Sequence, residues 1–435
     1  MVGIKNFFAG MSDLQKRILF TLFALITYRI GSFIPLPGVN ASAVLHLFDN
    51  TGMMGMFDMF SGGSMSRMSV LALNILPYIS ASIVIQLMST ASQSLAELRK
   101  EGESGRMKLN QYTRYLAIVL CIVQGWTIAR WLMTMAPVNG IAAVANPGAG
   151  FMVSTIVALV GGTAFVMWLA EQITARGIGN GPSLLIFAGI IAEAPGGLSK
   201  LIALGNAGAA SPFMMFLIVG FLLGMIALIA FVEQAQRRIQ ILYPRGNAMS
   251  SMQNKSYLPV KINMSGVMGP VFASAIMTLP AFVARFVQSD AAWFQEVMKF
   301  LTYGNWSYMA LYAVLIVFFS FFQTAIVFNS EETSEQLKNA GGYIPGVRPG
   351  AQTQAYLDGI VSRTTAIGCV YLVAVCCLPI ILNTKFGMPL VVGGTSILII
   401  AGVVLDTFAQ IQSHIITRQY SSIIKKAGKK SRFRV

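Results

Sequence analysis

The side chains that could do acid–base or ion chemistry are scarce in this chain, and most stand at the ends of long apolar runs. Asp406 is the one acidic residue well inside such a run. Glu171, Glu193 and Glu233 each stand at the end of one. A solute or proton transporter needs carboxylates or paired charges near the middle of the membrane. These few acidic residues argue against ion coupling. A solute transporter is kept as the alternative hypothesis.

Two arginines also fall within apolar runs. Arg29 lies near the middle of its run, and we expect it to face the protein interior, where carbonyl or hydroxyl oxygens accept its hydrogen bonds. Arg130 lies nearer the end of its run, from which its long side chain can reach water.

The sequence has no residue pattern typical of an enzyme or a metal centre. The apolar runs contain no pair of aspartates and no Ser–His arrangement, and the chain has no phosphate-binding glycine loop. His46 and His414 are far apart, which argues against a histidine metal site. We therefore predict a protein that is not an enzyme and that carries no cofactor. The four cysteines all fall inside apolar runs and are interpreted as packing residues: Cys121, Cys369, Cys376 and Cys377.

The elements that must position these side chains are membrane helices. Apolar residues make up 55% of the chain and charged residues only 11%, whereas a soluble protein of this length needs more charge to cover its surface. Several runs approach the length of about 20 apolar residues that crosses a bilayer. The sequence predicts an all-α polytopic membrane protein with ten transmembrane helices, at 18–36, 75–90, 115–135, 151–171, 183–200, 212–233, 266–288, 307–329, 365–384 and 392–412.

Lysine and arginine positions predict the orientation of these spans. With the N-terminus inside, the inner segments hold 24 of the 31 Lys and Arg residues and the outer segments hold 5. Positive charge is enriched on the cytoplasmic side of membrane proteins, so both termini are predicted to be cytoplasmic. The net charge of +15 then reflects topology, not a dedicated nucleic-acid-binding module, although contact with ribosomal RNA stays open.

The ten spans divide into two sets of five. A Gly- and Ala-rich outer connection at 201–212 predicts a hinge between an N-terminal half, 1–200, and a C-terminal half, 213–412. Because each half has an odd number of spans, the halves are predicted to be inverted relative to each other. A surface helix is predicted at 1–17, and a basic cytoplasmic tail at 413–435.

A broken element precedes the second span. The stretch MFDMFSGGSMSR (56–67) places Gly62, Gly63 and the charged Arg67 inside a half-apolar run. The apolar part that follows, from Ile75 to Met88, would rise only about 21 Å as a helix, less than the roughly 30 Å of bilayer hydrocarbon. Backbone that is not helical at membrane depth must be buried in protein or line a wet cavity. The pattern predicts a segment that re-enters the membrane from outside, with a kinked ordinary span as the alternative.

Six motifs give the chain a close resemblance to the SecY family of bacterial protein-export channels. They are RIGSFIPLPG (29–38), MFDMFSGGSMSR (56–67), LPYISASIVIQL (76–87), LAELRKEGESGR (95–106), EQITARGIGNG (171–181) and IPGVRPGAQT (344–353). The resemblance covers essentially the entire chain. It implies a channel in the bacterial inner membrane that passes unfolded, signal-sequence-bearing polypeptides across the bilayer or sideways into lipid. It also implies SecE and SecG as membrane subunits, and the SecA ATPase or the ribosome as the source of driving force.

The resemblance assigns a closing device to the broken element. In this family a short plug helix closes the channel from outside, and the helix after it is a gate. The plug corresponds here to about 60–74 and includes Phe60, Ser61, Gly62, Gly63 and Arg67. The family's ring of apolar pore residues corresponds to Ile75, Ile79, Pro182, Ile186, Val271 and Ile399. A narrow apolar ring blocks ions because it dewets, but Pro182 and the small Val271 depart from the usual aliphatic residues.

Two further surfaces are implied by the resemblance. Clients would leave sideways between spans 75–90 and 266–288. The polar candidates in that seam are Ser80, Ser82, Gln86, Ser274 and Thr278; the alternative is that these serines only allow close helix packing. Docking of the motor and the ribosome is implied for the inner loops, at Arg348 in the turn YIPGVRPG and at Arg237, Arg238 and Arg245.

Overall fold

The computed structural model of the chain describes residues 13–40, 44, 58, 61–135, 142–206, 211–243, 255–284, 304–386 and 393–432. This part is mostly helical. The helices of its first half are α1 (Asp13–Gly31), α2 (Leu76–Ala91), α3 (Gln93–Lys100), α4 (Glu103–Thr134), α5 (Ala149–Arg176), α6 (Gly181–Asn206) and α7 (Pro212–Gln234). Strands β1 (Gln236–Leu242) and β2 (Lys255–Lys261) follow. The remaining helices are α8 (Met268–Ala284), α9 (Trp306–Val327), α10 (Ser330–Asn339), α11 (Ala351–Phe386) and α12 (Gly394–Arg432).

Seven stretches of helix in the described residues are long and apolar enough to cross a membrane. They are Glu103–Thr134, Ala149–Arg176, Gly181–Ser199, Pro212–Gln234, Trp306–Asn339, Ala351–Thr384 and Gly394–Thr417. The other three predicted spans overlap α1, α2 and α8. α1 carries four charged residues, and the apolar helices Leu76–Ala91 and Met268–Met277 are shorter. A polytopic membrane protein is thus confirmed by the helices, while the count of ten spans stays a prediction.

The described contacts group the chain into two compact units. The first comprises Met1–Leu198 and Ile399–Val435, and the second comprises Ser199–Leu398. In the first unit, α4 packs against α2 and α5, and α5 also packs against α1. Small residues allow this close packing: Ala81 of α2 and Ala117 of α4 are fully buried, in one cluster with Met167 of α5.

In the second unit, α9 packs between α8 and α11, and α10 packs on α11. The strands β1 and β2 pair antiparallel, with Ile239 opposite Leu258 and Arg237 opposite Val260. The expectation of an all-α fold therefore misses one two-stranded sheet. The stretch QRRIQIL alternates polar and apolar residues at its end, a pattern typical of a half-buried strand that the sequence interpretation left as a loop.

Two details of local structure concern the predicted fifth span and the predicted surface helix. α6 covers the predicted span 183–200 and continues through Pro195 to Asn206. A proline within a membrane helix removes one backbone hydrogen bond, and neighbouring groups can satisfy the carbonyl that is freed. For the predicted surface helix at 1–17, residues 1–12 lie outside the described residues, and α1 begins at Asp13.

Candidate functional site

The segment between residues 61 and 75 is a buried run of turns, where the resemblance implies a short helix. Gly62 and Gly63 have φ of 66° and 74°, and Met68 and Asn74 have φ of 43° and 49°. Left-handed backbone at four positions prevents a continuous helix. Of the residues involved, only the glycines adopt this conformation without a steric cost. Phe60, the first residue of the predicted plug, lies outside the described residues.

The turns are closed by hydrogen bonds within the segment and to Asp58, which precedes it. The Ser69 amide donates to the Ser64 carbonyl at 2.9 Å, and the Asn74 amide donates to the Leu71 carbonyl at 2.9 Å. The Asp58 carboxylate accepts the Ser66 amide at 2.8 Å. These bonds satisfy backbone groups that would otherwise be costly to bury.

The segment is also bonded to the chain that follows α1. The Leu36 amide donates to the Met68 carbonyl at 2.8 Å, and the Val70 amide donates to the Ile34 carbonyl at 2.9 Å. Together with the isolated bridge between Pro35 and Ser69, these bonds hold two irregular stretches side by side in the manner of a short β ladder.

Two arginines converge on the glycine pair. The Arg29 Nη1 donates to the Gly62 carbonyl at 2.7 Å, and the Arg67 Nη2 donates to the same oxygen at 2.9 Å. The Arg67 Nε also donates to the Gly63 carbonyl at 2.8 Å. The expectation that carbonyl oxygens satisfy Arg29 is therefore confirmed, and the partner is the predicted plug itself.

An aromatic ring and a carboxylate complete this arginine cluster, which we define as Arg29, Arg67, Phe33 and Glu193 with the carbonyls of Gly62 and Gly63. The guanidinium carbons of Arg29 and Arg67 lie 4.9 Å and 4.4 Å from the centroid of the Phe33 ring, a distance typical of cation–π contacts. Arg29 repels Arg67 and attracts Glu193 electrostatically. The carboxylate thus offsets the repulsion of two like charges that share one acceptor.

Two helices of the first unit touch the backbone of the segment where they carry glycines. A Cβ on Gly62 would lie 2.6 Å from the Cα of Gly189 in α6, and a Cβ on Gly162 in α5 would overlap the Val70 carbonyl. No side chain fits at either contact without movement of backbone. The glycines therefore let the irregular segment lie directly against α5 and α6.

Substitution of Gly162 by alanine is expected to destabilise the protein by about 1–3 kcal/mol, since overpacking at a rigid backbone contact costs about this much. Gly161→Ala is the matched control, because a Cβ at Gly161 has no atom within 4 Å. The measurement is the thermal unfolding midpoint of the detergent-solubilised complex. Equal midpoints for the two variants would contradict the contact.

The predicted pore residues are mostly buried. Ile75 is 1% exposed, Ile79 7% and Ile186 6%, and Val271 and Ile399 are also buried, whereas Pro182 is half-buried. Ile75 and Ile79 lie one helical turn apart at the start of α2, and the Ile79 amide donates to the Ile75 carbonyl. Val271 belongs to the second unit and the other five to the first, and their arrangement as a ring stays a prediction.

The predicted polar residues of the lateral seam mainly bond within their own helices. Gln86 Nε2 donates to Ser82 Oγ at 3.0 Å along α2, and Ser274 Oγ donates to the Val271 carbonyl at 2.8 Å in α8. Ser80 is half-buried, and the side chain of Thr278 lies outside the described residues. The role of these residues in a seam stays a prediction.

Three of the four candidate docking arginines are exposed in the second unit. Arg237 and Arg238 are exposed on β1, and Arg348 is exposed in the turn before α11, whereas Arg245 lies outside the described residues. The Leu242 amide donates to the Tyr343 carbonyl at 2.9 Å, and the Tyr343 amide donates back at 3.0 Å. The hairpin and the Arg348 turn are therefore one structural unit.

An apolar cluster fixes this docking surface from below. Ile239 and Val260 of the hairpin, Ile344 of the turn and Leu357 of α11 are buried together. The turn itself is held by Thr353 Oγ1, which donates to the Arg348 carbonyl at 2.8 Å, and by Ser334 Oγ, which donates to the Gly350 carbonyl at 2.8 Å. Arg348 is thus presented to solvent on a rigid base.

Sequence reasoning missed three members of these sites. They are Phe33, Glu193 and Asp58, and of these only Glu193 is remote in sequence from every residue it acts on. Phe33 is four residues after Arg29 within the motif RIGSFIPLPG, a helical spacing that could have paired the ring with the cation. No comparable sequence signal connects Glu193 with Arg67.

The helices define a class of protein, the polytopic helical membrane protein, and solved structures share its fold. One is described as the structure of a protein-conducting channel, with a TM-score of 0.69, 14% identity and 93% of each chain covered. Another is Sec61 in a canine ribosome–channel complex from the endoplasmic reticulum, with a TM-score of 0.66, 14% identity and 93% of each chain covered. At this identity the likeness shows the fold.

Sequence comparison then identifies the family. The SecY family model matches residues 69–408. The protein translocase subunit SecY of Rickettsia bellii is 45% identical over 97% of this chain and 98% of its own length. The chain belongs to the SecY family.

Proposed function

We propose that this chain is the channel subunit of a bacterial protein translocase in the inner membrane. Unfolded, signal-sequence-bearing polypeptides cross through it, and signal or membrane segments leave sideways into the lipid bilayer. SecE and SecG are its membrane partners, and SecA or the ribosome drives transport from the cytoplasm, where both termini lie. The chain itself is not an enzyme, and it needs no cofactor.

The observation that carries this proposal is the buried run of turns at 61–75. Irregular backbone at membrane depth is stable only inside protein or beside water, and this run leads directly into α2, which is too short to be an ordinary span. A removable plug before a gate helix explains both features. The ten spans, their two inverted halves and the apolar ring of pore residues belong to the same proposal.

The test of transport is reconstitution of the complex into vesicles. With SecA and ATP added, a precursor polypeptide is expected to become protected from external protease, and without SecA it is not. Uptake of a small solute without a motor, and no polypeptide protection with it, would favour the alternative of a solute transporter.

The arginine cluster is proposed to hold the plug in its closed position. A hydrogen bond to a charged group contributes about 1.5–3 kcal/mol, so we expect Arg29→Gln to raise the population of the open resting channel by about tenfold or more. The measurement is the ion conductance of the reconstituted complex without motor or client. Arg67→Gln is expected to act in the same direction.

Arg130→Gln is the matched control for the arginine cluster. Arg130 is an exposed arginine of α4, and its guanidinium carbon lies 5.7 Å from the centroid of the Trp126 ring in the same helix. Its loss is expected to leave conductance unchanged. If Arg29→Gln conducts no more than Arg130→Gln, the cluster does not hold the plug.

A further inference from the structure

We propose that a groove between α9 and α11 binds a single phospholipid that carries a primary-amine headgroup, phosphatidylethanolamine being the type. The inference rests on the proposed membrane orientation, which places this end of both helices at the cytoplasmic boundary of the bilayer. It does not depend on the pore or the plug, because all of the groove belongs to the second unit.

The groove opens where the two helices separate at the junction of α9 and α10. Its volume is about 290 Å³. On α11, Gln354, Asp358, Val361 and Thr365 line it at spacings of four, three and four residues, which is one helix face. Phe321 and its neighbours on the last two turns of α9 form the opposite wall.

The mouth of the groove is acidic. Glu331 at the start of α10 and Asp358 on α11 both line it, and both are exposed. The lining contains no lysine or arginine among the residues that the structure describes. This is a local exception in a chain with a net charge of +15. A cation is therefore attracted at the mouth, and an anionic headgroup without an amine is repelled.

The closed end of the groove has a hydroxyl group without a partner. Thr365 is 3% exposed, and its Oγ1 has no hydrogen-bond partner within the described residues. Two nearby threonines do bond to their own helices: Thr364 Oγ1 donates to the Ile360 carbonyl at 3.0 Å, and Thr324 Oγ1 donates to the Ser320 carbonyl at 2.8 Å. A buried hydroxyl without an acceptor is costly, and a ligand with an ester carbonyl supplies one.

The spacing between mouth and closed end suits a phospholipid. Asp358 and Thr365 are separated by seven residues, a helical rise of about 10 Å. An ammonium group and the glycerol esters of one lipid are separated by a phosphate over a similar length. Ser362 lines the groove between Asp358 and Thr365, and its hydroxyl can donate to that phosphate. A lysine side chain from a partner protein would bring a cation to the mouth but no acceptor to Thr365.

An exposed apolar stripe continues from the groove toward mid-membrane. Phe321, Phe318 and Val314 on α9 are 40%, 54% and 64% exposed, and their spacing places them on one helix face. The stripe provides a track for an acyl chain below the headgroup. The features of the groove lie in the same order as the parts of the lipid. The acidic mouth corresponds to the amine, the Thr365 hydroxyl to the ester, and the apolar stripe to the acyl chain.

The test is native mass spectrometry of the purified translocase complex, titrated with phosphatidylethanolamine, phosphatidylcholine or phosphatidylglycerol of identical acyl chains. The expected result is one site that prefers phosphatidylethanolamine. The double variant Glu331→Gln with Asp358→Asn is expected to weaken that binding by about fivefold or more, since two ion pairs are lost. Thr365→Val is expected to weaken it by less, with the headgroup preference retained.

Glu335→Gln is the matched control, because Glu335 is exposed on α10 one turn from Glu331 and does not line the groove. Equal phosphatidylethanolamine binding by the double variant and by this control would overturn the proposal. So would equal affinity for phosphatidylglycerol, or a crosslink that shows a basic side chain of another subunit in the groove. Lipid binding is measured without transport, so a complex that binds the lipid but moves no polypeptide would contradict only the proposed function.

Discussion

Replacement of Arg348 by glutamate is expected to reduce SecA-driven export by about tenfold or more, while the protein still inserts and assembles. Arginine at the centre of a contact surface often contributes much of its binding energy. Reversal of its charge also places repulsion where attraction was, and such changes cost about 2–5 kcal/mol when the pair is desolvated. The measurement is the initial rate of precursor protection in reconstituted vesicles.

The structural basis of this expectation is the rigid presentation of the side chain. The turn around Arg348 is bonded to α10 by Ser334 and to α11 by Thr353, and buried Ile344 anchors it against the hairpin. The backbone hydrogen bonds of the turn involve other atoms than the guanidinium. A charge reversal at its exposed tip should therefore leave folding intact and change only recognition.

Lys338→Glu is the matched control for this experiment. Lys338 is an exposed cation on α10, so its reversal changes the net charge by the same amount without altering the turn. Export by the two variants at the same rate would show that overall charge, and not Arg348, is what matters. A normal export rate for Arg348→Glu would exclude a role in motor docking.

The double variant Ile79→Asn with Ile186→Asn is expected to make the resting channel conduct ions at a rate at least several-fold above the unmutated protein. An apolar constriction excludes water because a narrow dry gap cannot offer hydrogen bonds, and amide side chains remove that barrier. Both isoleucines are less than a tenth exposed, so the change acts on a buried surface. Single-channel recording in planar bilayers measures it.

Val84→Asn is the control for the pore residues. Val84 lies on α2, five residues after Ile79, and is 39% exposed, so its amide would face away from the buried side of the helix. The assignment of the ring fails if the double variant is as tight as this control. A leak in both variants would instead point to a general loosening of α2.

Much of the secondary structure could be predicted because the bilayer sets the length of each apolar run. The predicted spans at 151–171, 212–233 and 307–329 fall within or almost coincide with α5, α7 and α9. The helices differ from the predicted spans mainly at the ends outside the apolar part, where α4 begins 12 residues earlier and α11 begins 14 residues earlier. Those extensions are polar, and no membrane constraint marks where they stop.

The predicted plug shows where sequence reasoning ends. Glycines and a charge inside an apolar run were enough to predict irregular backbone at that place. They could not predict its turns, because Met68 and Asn74 adopt positive φ only under the constraint of bonds to the chain after α1 and of contact with α5. Such constraints come from residues that are remote in sequence.

By itself, the sequence determined that this is a polytopic membrane protein and that Arg29 must find oxygen acceptors inside the protein. The orientation inferred from its basic residues stays a prediction. Only the tertiary structure decided that the acceptor is the Gly62 carbonyl, 33 residues away, and that Phe33, Arg67 and Glu193 complete the site. The physical reason is that burial demands a partner for every charge without specifying which one. The choice of partner depends on which backbones approach closely enough, and glycines at the contacts with α5 and α6 allow that approach here.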